Sequence, residues 1–283
     1  MQTKMNANEK TKILIEALPY IKKYDSKIAV IKLGGNAMNE INNAAEDIAF
    51  LKRTGMKVVV VHGGGPEIDK ELKKMSIIPK FINGLRYTDE KVMKAVKKVF
   101  HRISKRIIDG LKSKDVKAIG AISCINAKQS SKKLGLVGKI TKVDKDKLLK
   151  YLGSGHVPVI SPIGIGKEIG KEYREYNINA DTAASRIAVA LGAEKLTILT
   201  NVDGIMINGS LLPHIDFKAA KKEIKNGNIN KGMIPKVEAC IYAVRNKCPK
   251  AHLINGLVPH SLLIEIFTDK GIGTEIVYKN GNK

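Results

Sequence analysis

The sequence predicts an α/β protein, a three-layer αβα sandwich around a mainly parallel central sheet. Three observations predict it. Val58 to Val61 form an unbroken apolar run between Lys57 and His62, closed by Gly63, Gly64 and Gly65, as expected of a strand buried on both faces of a parallel sheet. A second such run, Lys27 to Leu33, also ends on glycines, Gly34 and Gly35. Apolar runs then alternate with amphipathic segments to the end of the chain, the pattern of successive βα units.

Taken in order, Glu9 to Tyr24 reads as an amphipathic helix with Ile13, Leu14, Ala17, Leu18 and Ile21 on one stripe. Pro19 lies inside that pattern and predicts a kink or break. Ile41 to Arg53 is a helix returning to the strand at 57–62, and Pro66 opens another over about 66–75. Thr88-Asp89-Glu90 caps a long helix running to about Leu111. Lys117 to Ser123 reads as a strand, the polar stretch from Asn126 to Lys142 as a hairpin over a cleft, and Val143 to Leu152 as a helix. Val157 to Ser161 is a buried strand, and Glu168 to Asn177 is polar and turn-rich. Ala180 to Leu191 is a helix of small residues, Lys195 to Thr200 a strand, and 216–226 and 233–246 are helices. A strand at 251–255, a helix near 260–266 and a strand from Thr274 to Tyr278 complete the chain.

At 283 residues the chain is long enough for one large α/β domain or two lobes. Its 50 basic and 27 acidic residues give a net charge of +23, which first suggests nucleic acid. The detail argues against that. Only seven basic residues are arginine, the lysines are spread along the whole chain, aromatics make up 5%, and tryptophan is absent. No zinc finger or helix-turn-helix signature stands out, and the richness in Lys, Ile and Asn fits the mutational bias of an AT-rich genome. The excess charge still helps draw in acidic substrates. Cys124, Cys240 and Cys248 are odd in number and lack metal-ligand spacing, so they read as reduced, buried thiols. The amino-terminal residues contain no apolar signal core, and no run is long enough to span a bilayer. These features predict a soluble cytoplasmic protein (of the plastid stroma if organelle-encoded) that contacts neither nucleic acid nor membrane.

Function in an α/β fold concentrates outside the carboxyl ends of strands. Lys32, the turn His62 to Gly65, the stretch Asn177-Ile178-Asn179-Ala180-Asp181, and Thr200 to Gly204 all fall there. Lys236 follows Gly232-Met233-Ile234-Pro235, another turn entering a helix. Neither glycine turn is a Walker A, since no G-x-x-x-x-G-K-[ST] occurs. Asp181 alone is most simply a helix N-cap, and a lysine at a strand end most simply a snorkelling charge. Glycine turns, helix N-termini and lysines together suggest a site for a polyanion.

Ile31 to Met38, His62 to Pro66, Asn83-Gly84-Leu85-Arg86, Asn177 to Asp181 and Gly232 to Lys236 occur in the order seen in the amino acid kinase family, which this chain resembles over nearly its whole length. Within the family it resembles the arginine-sensitive, hexameric type that phosphorylates the γ-carboxylate of N-acetyl-L-glutamate, the second step of arginine biosynthesis. The resemblance implies the family's fold with an extra N-terminal helix over 1–26, an acetylglutamate-binding and dimerisation lobe over 27–178, and an ATP-binding lobe with an arginine site over 179–283. It implies Lys32, Lys236 and Asp181 as catalytic, the lysines stabilising the transferring phosphoryl and Asp181 holding both ammonium groups. It implies backbone donors from Gly35, Gly64 and Gly65, and acceptor binding by Arg86, Asn177 and Asn179. ATP would lie on Gly34, Thr200, Asn201, Asp203, Gly204, Ile205, Met206, Ile229, Asn230 and Lys231, bringing Mg2+ on its phosphates. Tyr20, His260, Glu265, Gly271 and Gly273 resemble the segment that binds arginine as inhibitor. The implied assembly is a dimer, or a trimer of dimers interlaced by the N-terminal helices, and a PII-type regulatory protein remains open as a partner.

Three other readings compete. His-Gly-Gly-Gly also begins the oxyanion hole of lipase-type hydrolases, but no serine has glycines two before and two after it. A sibling kinase acting on carbamate, aspartate, glutamate or a nucleotide shares the scaffold. A non-catalytic regulator would not need both lysines and Asp181. The chain departs from the pattern at Leu33, where many arginine-regulated members carry tyrosine, and at Leu211-Leu212-Pro213-His214.

Overall fold

The computed structural model describes residues 6–34, 41–167, 173–268 and 271–279. The element order is α1 (Ala7–Tyr24), β1 (Ile28–Leu33), α2 (Ile41–Arg53), β2 (Lys57–His62), α3 (Gly65–Lys74), β3 (Phe81–Ile82), β4 (Leu85–Arg86), α4 (Glu90–Lys112), β5 (Ala118–Gly120), β6 (Ile125–Gln129), β7 (Gly138–Val143), α5 (Lys145–Gly153), β8 (Val157–Ile160), β9 (Ile163–Lys167), β10 (Tyr173–Asn177), α6 (Ala180–Leu191), β11 (Lys195–Thr200), β12 (Met206–Ile207), β13 (Ser210–Leu211), β14 (His214–Asp216), α7 (Phe217–Lys225), α8 (Ile234–Arg245), β15 (Lys250–Asn255), α9 (Ser261–Phe267) and β16 (Thr274–Val277).

Eight strands form the central sheet in the order β14-β16-β15-β11-β1-β2-β8-β5. All neighbours run parallel except β15 and β16. The sheet is central because its strands are apolar on both faces: Val58 to Val61 and Val30, Ile31 and Leu33 are all buried, each such side chain contributing on the order of 1.5–3 kcal/mol. Helices α2, α3, α4 and α9 pack on one another, as do α5, α6, α7 and α8, giving layers on both faces. The three cysteines are buried and free, and among the described residues no helix is long and apolar enough to cross a membrane.

Several details differ from the sequence reading. Helix α1 continues through Pro19 without interruption. The strand expected over 117–123 is reduced to Ala118–Gly120. The stretch read as turn-rich carries β10, which pairs antiparallel with β9; its residues 168–172 lie outside the described ones. The hairpin over 126–142 is present as β6 and β7 and joins β9 and β10 in a separate sheet ordered β10-β9-β6-β7. The connection between β6 and β7 reaches back to the main body. Leu136 N–H donates to Thr88 O at 2.6 Å, Thr88 N–H to Leu134 O at 3.1 Å, and Asn177 N–H to Leu136 O at 2.8 Å. The small sheet thereby fixes Thr88 and Asn177 side by side.

Candidate active site

Lys32 lies in β1 with Ile198 of β11 and Val61 of β2 opposite it in register. Its position in the middle of the sheet buries the side chain, and its ammonium extends to the Asp181 carboxylate, Nζ to Oδ1 2.8 Å. Lys236, in the first turn of α8, reaches the other carboxylate oxygen, Nζ to Oδ2 3.0 Å. Two cations therefore share one anion. Burial depresses the pKa of Lys32; Asp181 opposes that shift and Lys236 adds to it. Burial would raise the Asp181 carboxyl, but the two ammonium groups outweigh it and hold it below the usual carboxylate range. Asp181 is not the N-cap that the sequence suggested. Asn179 takes that place, its side-chain oxygen accepting from Thr182 N–H at 2.9 Å, which releases Asp181 to organise the lysines.

These three side chains line one end of a cleft of about 300 Å3. The first residues of three helices face it: Gly65 and Pro66 of α3, Ala180 and Asp181 of α6, and Lys236 of α8. Helix N-termini present unpaired N–H groups and the positive end of the helix dipole, so their convergence favours an anion. Gly63 and Gly64 complete that wall.

The other end holds Arg86, buried and stacked at 4.7 Å over the Phe81 ring. Asp69 accepts from Arg86 Nη1 at 2.6 Å, and Gly65 O lies 3.4 Å from Nη2, so part of the guanidinium fork is already committed to holding it in place. Asn177 Nδ2 donates to Thr88 Oγ1 at 3.1 Å, and Thr88 Oγ1 itself donates to Arg86 O at 2.9 Å. Because Thr88 has spent its proton, it can only accept from Asn177, and the amide oxygen of Asn177 remains available to a donor in the cleft. Asn179 also lines the cleft, although its oxygen serves the helix cap.

Of the residues assigned to the acceptor and the phosphoryl group, Lys32, Gly64, Gly65, Arg86, Asn177, Asn179, Asp181 and Lys236 all line this one cleft. Gly35 lies outside the described residues. None of the nucleotide residues lines it. Gly34 sits where β1 approaches β11, and a Cβ there would meet Leu199 O at 2.7 Å. Thr200 closes β11, and Asn201 and Asp203 follow it, Asp203 accepting from Asn255 at 2.8 Å. Gly204 has no room for a side chain against Thr274 Oγ1, and Ile205 N–H donates to that hydroxyl at 2.8 Å. The side chains of Ile205 and Ile229 are buried in the core, Met206 is exposed, and Asn230 and Lys231 precede α8.

The residues that resemble the arginine-binding segment lie in three settings. Glu265 is buried among His252, Lys195 and the Ile272 N–H, which donates to it at 3.1 Å. Burial would raise Glu265, but His252 and Lys195 hold it below its ordinary value. Gly271, at φ 57, leaves room for this carboxylate, and Gly273 passes against Leu253 O. His260 instead bonds Asp47 of α2, Nδ1 to Oδ1 2.7 Å. Tyr20 packs half-buried against the core.

The amino acid kinase family model matches residues 27–255. The chain belongs to the amino acid kinase family. It is 47% identical to the acetylglutamate kinase of Thermoanaerobacter pseudethanolicus over 281 residues, covering 94% of this chain and 93% of that one. It is 41% identical to the acetylglutamate kinase of Clostridioides difficile, covering 96% and 98%. Among solved structures it resembles the N-acetylglutamate synthase of Neisseria gonorrhoeae complexed with coenzyme A and N-acetyl-glutamate, with a TM-score of 0.86 at 25% identity. That match takes in 96% of this chain but only 64% of the synthase. Giardia carbamate kinase, with a TM-score of 0.70 at 18% identity, shares the fold. The relatives at over 40% identity are kinases, and the chain is an enzyme of that kind.

Sequence reasoning missed Asp69, Phe81 and Thr88. Each acts through a partner distant in the chain, and no local signal marks it. Among the described residues, no group of three or more His, Cys, Asp and Glu side chains is arranged to hold a metal.

Proposed function

We propose that the chain transfers the γ-phosphoryl of ATP to the γ-carboxylate of N-acetyl-L-glutamate, forming an acyl phosphate in arginine biosynthesis. The observation that carries this reading is the Lys32–Asp181–Lys236 cluster at one end of a cleft whose other end presents Arg86 and the Asn177 amide. A carboxylate acceptor is ionised at neutral pH and needs no general base. The obstacle is bringing one anion against another, so catalysis reduces to positioning and charge neutralisation. Lys32 and Lys236 neutralise charge on the transferring phosphoryl, and Asp181 keeps their ammonium groups apart and aimed. Arg86 clamps the α-carboxylate, and the Asn177 oxygen accepts from the acetamido N–H.

Residues 27–178 serve the acetylglutamate, and 179–283 serve ATP along Thr200 to Met206 and Ile229 to Lys231, joined by Gly34 of the first lobe. Mg2+ enters with ATP as part of the substrate. Helix α1 and the segment containing Tyr20, His260, Glu265, Gly271 and Gly273 serve arginine inhibition and assembly into a trimer of dimers, and a PII-type protein is a further regulator to test.

The test is ADP release from ATP with N-acetylglutamate against carbamate, aspartate and glutamate as acceptors. Turnover with N-acetylglutamate at least tenfold above the others is expected. A preference for another acceptor would reassign the chain to a sibling kinase.

A further inference from the structure

His62 is the last residue of β2, directly before the glycine turn, yet its ring faces away from the cleft and is wholly buried. Its Nδ1 lies 3.0 Å from Gly63 O. A carbonyl only accepts, so Nδ1 carries the proton and Nε2 is the accepting nitrogen. Two hydroxyls meet it there: Ser104 Oγ of α4 at 2.8 Å and Ser161 Oγ, just past β8, at 3.1 Å, the two standing 3.0 Å from each other. The Phe100 ring closes on the imidazole edge-on at 5.4 Å. The ring is thus held from α4, from β8 and by its own strand.

The consequence lies in the peptide that follows. No cis peptide occurs among the described residues, and in a trans peptide the C=O and the next N–H point in opposite directions. With Gly63 O turned inward to the imidazole, the Gly64 N–H is turned outward. No described residue accepts from it, and Gly64 lines the cleft beside Lys32 and Asp181. A Cβ at Gly64 would meet Ile103 at 2.9 Å and Phe100 at 3.0 Å, so only glycine fits where this peptide runs against α4.

We propose that His62 is a positioning residue, whose grip on the Gly63 carbonyl aims the Gly64 N–H at the phosphoryl group in transfer. The inference deepens the kinase reading and rests on it. The buried ring touches no substrate and exchanges no proton with one. It acts only through the peptide it holds.

The test is a pair of variants of similar polarity. His62→Asn keeps an amide near the level of Nδ1 and can still hold Gly63 O; His62→Gln moves the amide to the level of Nε2 and keeps only the serine side. His62→Gln is expected to lower kcat ~10²-fold, the usual cost of one misplaced transition-state donor, with both KM values within a few-fold of wild type. His62→Asn is expected to stay within about tenfold of wild type. Crystal structures should show the Gly63–Gly64 peptide kept in His62→Asn and turned in His62→Gln. Equal slowing of both variants in step with their melting temperatures, or an unturned peptide in His62→Gln, would overturn the proposal. Should His62→Gln not fold, a turned peptide or a 10²-fold loss in His62→Asn overturns it, and a kept peptide with near-normal kcat supports it. A wild-type protein that releases no ADP with N-acetylglutamate defeats the kinase reading instead, and the peptide orientations still decide the role of His62.

Discussion

Asp181 shares one negative charge between two ammonium groups, one of them wholly buried. The surplus positive charge is costly in an empty cleft and is relieved when a polyanion enters, which is why charge imbalance of this kind belongs at a site and not in a core. Replacing Lys32 or Lys236 by Met is therefore expected to lower kcat by ~10²–10³-fold while the protein stays folded; near-full turnover in either variant would remove the lysines from the mechanism. At the acceptor end, Arg86→Lys keeps the charge but loses the fork that Asp69 and Phe81 orient. Its KM for N-acetylglutamate should rise at least tenfold while its KM for ATP holds, and equal rises in both would place Arg86 outside the acceptor site. His62 carries a pH dependence of stability. Burial, helped by the nearby Lys32 charge, lowers its pKa from 6.5 to about 4 despite the bond to Gly63 O. Between those values the unfolded chain takes up a proton that the folded chain refuses, so stability falls as pH falls, by up to ~1.4 kcal/mol per pH unit from this residue. Urea unfolding from pH 7 to 4.5 should cost the wild type more stability than His62→Asn, which cannot titrate there. Parallel losses would show that the imidazole titrates alike in both states.

At the scale of elements, the sequence was most legible where one force decides the outcome. Ile41–Arg53, Ala180–Leu191 and Lys195–Thr200 were read to the residue, because a continuous apolar run or a helical stripe leaves no alternative. It was least legible where pairing with a distant partner creates the element. Ile163-Gly-Ile-Gly-Lys167 becomes a strand between Tyr173–Asn177 on one side and β6 on the other, and the two-residue strands β3, β4, β12 and β13 have no periodicity to read. Pro19 misled for a different reason: proline removes one helical hydrogen bond, and the remaining turns of α1 carry the helix through. The lysines and Asp181 were legible because they sit at strand and helix ends, whereas Asp69 and Thr88 depend on tertiary neighbours. The turn that braces Thr88 can be tested directly. Gly135 has φ 67, and a Cβ there would lie 2.3 Å from Thr88 O. Gly135→Ala should destabilise the fold by more than about 1 kcal/mol and raise the KM for the acceptor, leaving that for ATP near its original value. An unchanged acceptor KM would mean that the small sheet does not position Thr88 and Asn177.

Across the whole molecule, the two ends of the chain meet the central sheet at one place. Tyr24, at the foot of α1, is buried in the core, and Lys195 lies 5.7 Å above its ring beside the Glu265 cluster. Asp47 of α2 accepts from His260 and from the Leu262 N–H at 3.2 Å, and Phe50 meets Phe267 edge-on at 5.5 Å. Helix α2 is thereby tied to the segment proposed for arginine. The upper turns of α1 are different in kind: Ile13, Leu14, Ile15 and Leu18 are all exposed, apolar surface on which the proposed assembly would rest. Truncation must therefore separate the two halves of the helix. Removing residues 1–17 takes away most of the exposed face and leaves Tyr20 and Tyr24 against the core. If α1 serves the proposed assembly and regulation, the truncated protein is expected to keep its kcat and its melting temperature within a few degrees, to fall below the mass of the full chain's assembly in light scattering, and to need at least tenfold more arginine than the full chain for half-inhibition. A truncated protein that keeps the full chain's assembly with unchanged arginine response would show that the upper turns of α1 serve neither assembly nor regulation.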